Sequence, residues 1–308
     1  MSNNDNYHQL TRTFQRLSRF SHLSAIASWD MFTMMPSGGS KARGEALAEL
    51  SVLEHQLLTD PKVATWIAAA QQEDLNDVEQ ANLREMSRLH HQASLLPESL
   101  VEAKTLAGSS CEHPWRSQRP ANDWEGFSEN LKEVVKHSRE EARLRAEATG
   151  CSPYDALLDI FEPGMTSAQL DVLFADVKSW LPDLLNKVVA KQSQQSLIAP
   201  VGPFPTAIQR ELGLETMAQL GFDFTAGRLD ISAHPFCGGV PEDVRITTRY
   251  DENELLSALF GVIHETGHAR KICRTVGQGN LSPWHAQPLF MSPRVCSLRC
   301  NWGAVKHF

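Results

Sequence analysis

The sequence predicts a mainly α-helical protein that carries one small β-sheet. Through most of the first 222 residues, apolar side chains recur every three or four positions, which is the spacing of one helix face. Between residues 224 and 250 glycines become frequent, and apolar and polar side chains alternate as they do in short strands. From residue 251 a long helical pattern returns.

Loop-forming residues divide the first half of the chain into amphipathic helices. Proline and glycine at residues 35–40 predict a loop, and Asp60 followed by Pro61 predicts a helix start. We expect Pro114 to end one helix, since proline lacks a backbone N–H, and Gly150 to end the next. The predicted helices cover residues 7–34, 42–58, 61–70, 77–94, 97–112 and 127–148.

Shorter helices are expected in the middle of the chain. Pro182 predicts a division between two of them, and the glycine at position 213 predicts another division. The predicted segments are residues 154–161, 166–180, 182–194, 206–212 and 217–222.

Two strands are predicted just before the last helical pattern, at residues 227–231 and 243–250. In the second strand Val244, Ile246 and Thr248 alternate with polar neighbours, so we expect these three side chains to be buried. The strands should form a hairpin that leads directly into the next helix.

That next helix contains the pattern His-Glu-x-x-His, formed by His264, Glu265 and His268. Two histidines four residues apart lie one turn apart on the same helix face, so both imidazoles can reach one metal ion. The glutamate beside the first histidine is positioned to act as a general base toward an attacking water.

The context of this motif favours a helix. Asp251 predicts the N-cap, with Glu254 as its capping-box partner. The two histidines continue the row of Leu256 and Phe260 at four-residue spacing. We therefore expect them to lie on the buried face of the helix, at the floor of a cleft.

Composition excludes several classes of protein. A net charge of −8 without a basic run argues against nucleic-acid or anionic-membrane partners. The N-terminus is polar and no apolar run is long enough to span a bilayer, so a cytoplasmic protein is expected. The six cysteines form no C-x-x-C pair and no disulfide framework.

Three ordered motifs resemble those of the M32 metallocarboxypeptidases, the thermostable carboxypeptidase or carboxypeptidase Taq type. They are His-Pro-Phe at residues 234–236, Asp-x-Arg-x-Thr at 243–247, and the His-Glu-x-x-His motif. Ser-Trp-Asp at residues 28–30 and the segment 154–165 are also similar to that family. The resemblance implies a neurolysin-like zincin fold, mainly helical, with a small β-sheet beside an active-site groove.

The family resemblance also implies a function. Members remove single residues from peptide C-termini, use one divalent metal ion (zinc or cobalt), and are commonly homodimers. By this resemblance His264 and His268 are metal ligands, and Glu265 is the general base that later protonates the leaving amine. Arg245 is a candidate for binding the substrate carboxylate, with a strand-surface salt bridge as the alternative. His234 is a candidate for substrate or oxyanion binding, with a turn-stabilising role as the alternative.

Two further expectations concern the ligand set. Asp243 is expected to orient a histidine or the backbone rather than to contact substrate. A zinc site of this type needs a third protein ligand, which the family resemblance supplies as a downstream glutamate in a His-Glu-Ser motif. Residues 271–308 contain no Asp or Glu, so no third ligand is predicted. The candidate replacements for the third ligand are Cys273, His285, Cys296, Cys300 and His307.

We interpret residues 1–270 as the N-terminal portion of a single peptidase domain, and residues 271–308 as an aberrant tail. Synonymous codon choices for the tail permit a shifted frame that encodes His-Glu-Ser on an amphipathic helix. A natural frameshift and a sequencing error both explain such a tail. The fold is accordingly expected to be incomplete at its C-terminus.

The sequence therefore predicts a metal-dependent carboxypeptidase acting on peptides, with impaired activity in this chain. Three alternatives stay open. The chain can be a catalytically inactive remnant that binds a partner, a different helical zinc peptidase that acts on another chain end, or a helical scaffold with a chance motif.

Overall fold

The computed structural model describes residues 5–196 and 200–277, with side chains as far as residue 270. Its described part has the predicted architecture: ten α-helices and one three-stranded β-sheet. The helices are α1 (Asp5–Thr33), α2 (Ser40–Thr59), α3 (Pro61–Ala70), α4 (Asp77–Ser94), α5 (Glu98–Gln118), α6 (Trp124–Thr149), α7 (Pro153–Leu158), α8 (Ser167–Gln192), α9 (Thr206–Gln219) and α10 (Leu255–Gly277). The strands are β1 (Gly227–Ile231), β2 (Cys237–Val240) and β3 (Asp243–Thr248).

Side-chain caps explain several of the helix starts. Asp60 accepts a hydrogen bond from the N–H of Lys62, and proline occupies the first position of α3. Asn76 and Glu79 form a reciprocal capping box at the start of α4. None of the helices within the described ranges has the length and apolar character needed to cross a membrane.

Contacts divide the described residues into two compact units. The first unit consists of residues up to 138 together with those from 203 onward. Its N-terminal core joins α1, α3 and α4 around the buried side chains of Leu10, Val63 and Met86. A second core in the same unit joins α9, the sheet and α10, and this second core carries the motif residues.

The sheet places β3 at its centre. β1 pairs parallel to β3, and β2 pairs antiparallel to it, so the strand order is β1-β3-β2. The predicted hairpin of residues 227–231 with residues 243–250 is wrong, because β1 and β3 pair parallel. The hairpin ahead of the last helix is β2–β3, and the sequence pattern did not indicate β2. Val244, Ile246 and Thr248 are buried as predicted. Thr247 is buried as well, because its hydroxyl forms hydrogen bonds with Ser232 and Phe236 inside the protein.

Two predicted helix divisions at prolines are wrong. α5 continues through Pro114, and α8 continues through Pro182. A proline in a helix interior forfeits one backbone hydrogen bond and strains one turn. The apolar spacing of α8 stays in phase on both sides of Pro182, as Val177 and Leu184 on either side of it show. Continuing the helix therefore keeps one amphipathic face intact. The prediction of a division considered only the backbone hydrogen bond that the proline removes.

The predicted division of α9 at Gly213 is also wrong, since one helix spans both predicted segments. A Cβ added at Gly213 would lie 3.6 Å from Val262 of α10. This is an ordinary contact distance, so α9 packs on α10 at Gly213 and the helix continues through the glycine.

Residues 139–202 form the second unit, which contains the end of α6, with α7 and α8. Within α6, Arg145 pairs with Glu141 one turn earlier, and both side chains are buried. Thr166 and Gln169 form a capping box at the start of α8, which fixes where that helix begins.

The β2–β3 hairpin, which carries Asp243 and Arg245, depends on one glycine. Gly239 has a φ of +106°, and a Cβ added there would lie 2.1 Å from the carbonyl oxygen of Asp243. We expect Gly239→Ala to lower the free energy of unfolding by about 1–3 kcal/mol, because both the positive φ and the contact become strained. Urea unfolding followed by circular dichroism measures this change.

The matched control for this prediction is Gly238→Ala in the same strand, where an added Cβ meets nothing within 4 Å. It should change stability by less than about 1 kcal/mol. Equal losses in the two variants would contradict the account of the hairpin.

Candidate active site

The two histidines of the His-Glu-x-x-His motif converge on α10. The Nε2 atoms of His264 and His268 lie 3.1 Å apart, and the two rings meet edge to face with centroids 4.7 Å apart. This geometry follows from the four-residue spacing, which places both side chains one turn apart on one face.

The pair fits a divalent metal ion. A tetrahedral ion bound through imidazole at about 2.0–2.1 Å holds its ligand nitrogens roughly 3.3 Å apart, close to the observed separation of 3.1 Å. In residues 5–196 and 200–270, no third His, Cys, Asp or Glu completes a group that could hold such an ion. The described part of the chain therefore supplies two candidate ligands. The substitutes named from the sequence, beginning with Cys273, lie outside the described side chains.

The histidines do not lie on the buried face of α10, and that prediction is wrong. His264 is exposed, and Leu256 and Phe260 in the same row are 41% and 62% exposed. The face that packs inside the protein carries Ala258, Val262, Thr266 and Ala269. Both faces of this helix are largely apolar, so periodicity could not determine which of them is covered.

The start of α10 also differs from the prediction. The helix begins at Leu255, and the carboxylate of Glu254 accepts hydrogen bonds from the N–H groups of Leu256 and Ser257. Asp251 lies further upstream and accepts from the N–H of Asn253 in a local turn. The capping role predicted for Asp251 therefore belongs to Glu254, because the chain turns once more before the helix begins.

Glu265 lies on the packed side of α10, next to His264 in sequence. Its side chain is buried, and burial raises the pKa of Glu265 from 4.5 to about 7. A divalent cation held by the adjacent histidines would favour the charged carboxylate and lower that pKa.

The His-Pro-Phe segment is attached to β3 through Thr247. The hydroxyl oxygen of Thr247 accepts a hydrogen bond from the N–H of Phe236 at 3.0 Å, and it lies 2.7 Å from the hydroxyl of Ser232. The N–H of Thr247 in turn donates to the carbonyl of Phe236 at 2.8 Å. The threonine of the Asp-x-Arg-x-Thr motif thus holds the loop that carries His234.

The same loop contacts α10. A Cβ added at Gly261 of α10 would lie in ordinary contact with the ring of Pro235, at 3.7 Å, so the loop packs on the helix at this position. The three motifs identified in the sequence therefore meet: β3 holds the loop, and the loop packs on α10. Burial lowers the pKa of His234, and the nearby charge of Arg249 lowers it further.

Arg245 forms an ion pair with Asp243 and a cation–π contact with Trp29. Its Nε and Nη2 donate to the two carboxylate oxygens of Asp243 at 2.5 and 3.0 Å, and its guanidinium lies 4.5 Å from the ring centroid of Trp29. Asp243 thus orients Arg245, and its carboxylate also lies 3.6 Å from the ring of His22. This arrangement connects Ser-Trp-Asp of α1 with the central strand.

A second arginine at this position was missed by the sequence analysis. Arg228 is the register partner of Arg245 on the parallel strand β1. It pairs with both oxygens of Asp230 at 2.7 and 2.6 Å, and its guanidinium lies 5.3 Å from the ring of Trp29. The repeated Arg-x-Asp and Asp-x-Arg spacing in the two strands was the available signal.

The comparisons with known proteins agree with these features. A family model described as Carboxypeptidase Taq (M32) metallopeptidase matches residues 9–271. Thermostable carboxypeptidase 1 of Thermus thermophilus is 38% identical over an alignment of 270 residues, covering 83% of this chain and 53% of that protein. Carboxypeptidase 1 of Bacillus subtilis is 32% identical over 258 residues, covering 83% of this chain and 51% of that protein.

A solved structure gives the same result. Metallocarboxypeptidase 1 of Trypanosoma cruzi is 47% identical, with a TM-score of 0.76 over 88% of this chain and 55% of its own. The chain therefore spans about half the length of the relatives it matches.

The contacts of Thr247 predict a specific loss. We expect Thr247→Val to lower the free energy of unfolding by about 1–3 kcal/mol, because the substitution keeps the shape but removes the acceptor of the Phe236 N–H and one of the two acceptors near the Ser232 hydroxyl. Urea unfolding measures the loss.

Thr13→Val serves as the control, since that hydroxyl bonds to a carbonyl within α1. It should be close to neutral. A neutral Thr247→Val variant would mean that the loop is held by other contacts.

Proposed function

The chain belongs to the Carboxypeptidase Taq (M32) family of metallopeptidases, and from that premise we propose that its function is the metal-dependent release of C-terminal residues from peptides. The observation that carries this proposal is the convergence of the His264 and His268 ring nitrogens at 3.1 Å. A helix that presents two such nitrogens on an exposed face supports an ion that a substrate can reach.

Each motif residue has a part in the proposed reaction. A divalent ion, when bound, polarises the scissile carbonyl and makes the attacking water more acidic. Glu265 takes the proton of that water and delivers it to the leaving amine, so the amine departs neutral. His234, in the loop that packs on α10, donates to the developing oxyanion or positions the substrate.

Arg245 is proposed to bind the C-terminal carboxylate of the substrate. Asp243 occupies the edge of the guanidinium formed by Nε and Nη2. A guanidinium has five N–H donors, so the edge formed by Nη1 and Nη2 is left for a second, planar carboxylate. In this proposal Asp243 and Trp29 hold the guanidinium in place, and they are positioning residues rather than catalytic ones.

Further details belong to the same proposal. The ion is zinc or cobalt, the substrates are peptides, and the active form is a cytoplasmic homodimer without nucleic-acid or membrane partners. Residues 1–270 are proposed to be the N-terminal portion of one M32 peptidase domain. Because the described residues supply two ligands and residues 271–308 hold no carboxylate side chain, we propose that metal affinity and activity are impaired in this chain.

The two-ligand site also favours a second candidate function. A chain that cannot retain the ion would be a catalytically inactive remnant that acts only by binding. The two candidates differ in whether any metal restores hydrolysis.

Peptide digestion tests the proposal. The full chain is incubated with a peptide ending in a free carboxylate and with its amidated counterpart, in zinc or cobalt, and released amino acids are measured by mass spectrometry. We expect slow release from the free-acid peptide alone, since an amidated end offers no carboxylate to Arg245. Glu265→Gln should reduce this release by about 10²–10⁴-fold, because the proton acceptor is lost.

Glu252→Gln is the matched control, an exposed glutamate that precedes α10 and should leave release unchanged. Cleavage of the amidated peptide would contradict the carboxypeptidase assignment. Release no greater than that of Glu265→Gln with either metal would favour the inactive remnant.

A further inference from the structure

Helix α8 carries an apolar stripe that has no part in the proposed reaction. Nine apolar side chains repeat at intervals of three or four residues along its length, and together they are named the α8 stripe. They are Leu170, Leu173, Phe174, Val177, Trp180, Leu181, Leu184, Leu185 and Val188.

The α8 stripe is exposed. Seven of its side chains are between 41% and 56% exposed, and α8 has no buried residue. The opposite side of the helix carries Asp171, Asp176 and Asp183, and these charged side chains are exposed to solvent. An amphipathic helix of this kind normally covers its apolar side with another element.

The size of the stripe indicates a specific interface. Soluble monomers rarely expose a contiguous apolar patch larger than a few hundred Å², and larger ones mark interaction surfaces. Half-exposed side chains of this size, which include Trp180 and Phe174, offer on the order of 800 Å² along a helix of 26 residues. That area matches one side of a standard protein–protein interface.

The chain lengths of the relatives indicate what covers the stripe. α8 lies within the matched residues 9–271, so it is a part of the family fold and not an addition to it. The Thermus thermophilus relative uses 53% of its length for this match, which leaves nearly as much polypeptide outside it. The Trypanosoma cruzi and Bacillus subtilis relatives show the same proportion. The α8 stripe is a large exposed apolar surface in the matched half, on which a polypeptide of that size can pack.

We propose that the α8 stripe is the docking surface for the part of an M32 carboxypeptidase that lies outside the match to this chain, and that this chain can bind such a polypeptide when it is supplied separately. The proposal uses the family membership, but it is independent of the proposed catalysis. A chain without peptidase activity would still bind through α8.

Co-expression tests this proposal. The tagged full chain is produced together with the part of the Thermus thermophilus protein beyond the end of its match, and the amount of the second polypeptide recovered on the tag is measured. We expect recovery in the soluble fraction at a one-to-one ratio. Leu184→Asp should reduce recovery at least 10-fold, because it places a charge in the centre of the stripe.

The matched control is Val172→Asp, which introduces the same charge at a 71% exposed position on the other side of α8. It should leave recovery within a factor of two or three of the unmodified chain. Circular dichroism of both variants checks that helix content is retained, as expected for changes outside any core.

Three results would overturn the proposal. The second polypeptide could fail to be recovered with the unmodified chain, or it could be recovered equally with Leu184→Asp. Light scattering of the chain alone could also detect a dimer that Leu184→Asp disrupts and Val172→Asp does not, which would assign the stripe to a second copy of this chain.

Discussion

The packing of α10 on the central strand β3 determines which side chains of this helix are buried and which are exposed. Val262 and Ala269 are buried among side chains of the sheet and of α9, and this contact fixes the rotation of the helix about its own axis. Once that face is fixed, His264 and His268 point away from the core, and Glu265 lies on the packed side. A helix rotated by one residue would bury a histidine and expose a core side chain.

β3 also organises the residues around the helix. Through Thr247 it holds the loop of His234, and that loop packs on Gly261 of α10. On the same strand, Arg245 is clamped by Asp243 and stacked on Trp29 of α1. Segments far apart in sequence are thus arranged around one short strand, which explains why the motifs lie close together.

Sequence pattern was sufficient for the architecture and for the proximity of His264 and His268. Helical periodicity identified most helices, and the four-residue spacing of His264 and His268 required that they meet. It failed where two local rules compete. At Pro182 and Gly213 a helix-breaking residue lies within an apolar pattern that stays in phase, and the helix continues through it despite the local penalty.

The remaining errors have one cause, which is that local pattern does not encode tertiary pairing. α10 is apolar on two sides, so only its contact with the sheet shows that the row of Leu256 and Phe260 is exposed. The spacing of Arg228 and Asp230 was visible in the sequence, but the position of Arg228 beside Arg245 follows only from the pairing of β1 with β3. The exposed row on α10 and the stripe on α8 are also visible only in the structure, and both lie in a chain that matches about half of each relative.

The central claim is that His264 and His268 hold one divalent ion together, and X-ray absorption at the zinc edge of the zinc-loaded full chain tests it most directly. The account predicts two imidazole nitrogens at about 2.0 Å, with the imidazole signal weakened in His264→Ala. A spectrum without imidazole, or one dominated by sulfur at about 2.3 Å, would contradict it.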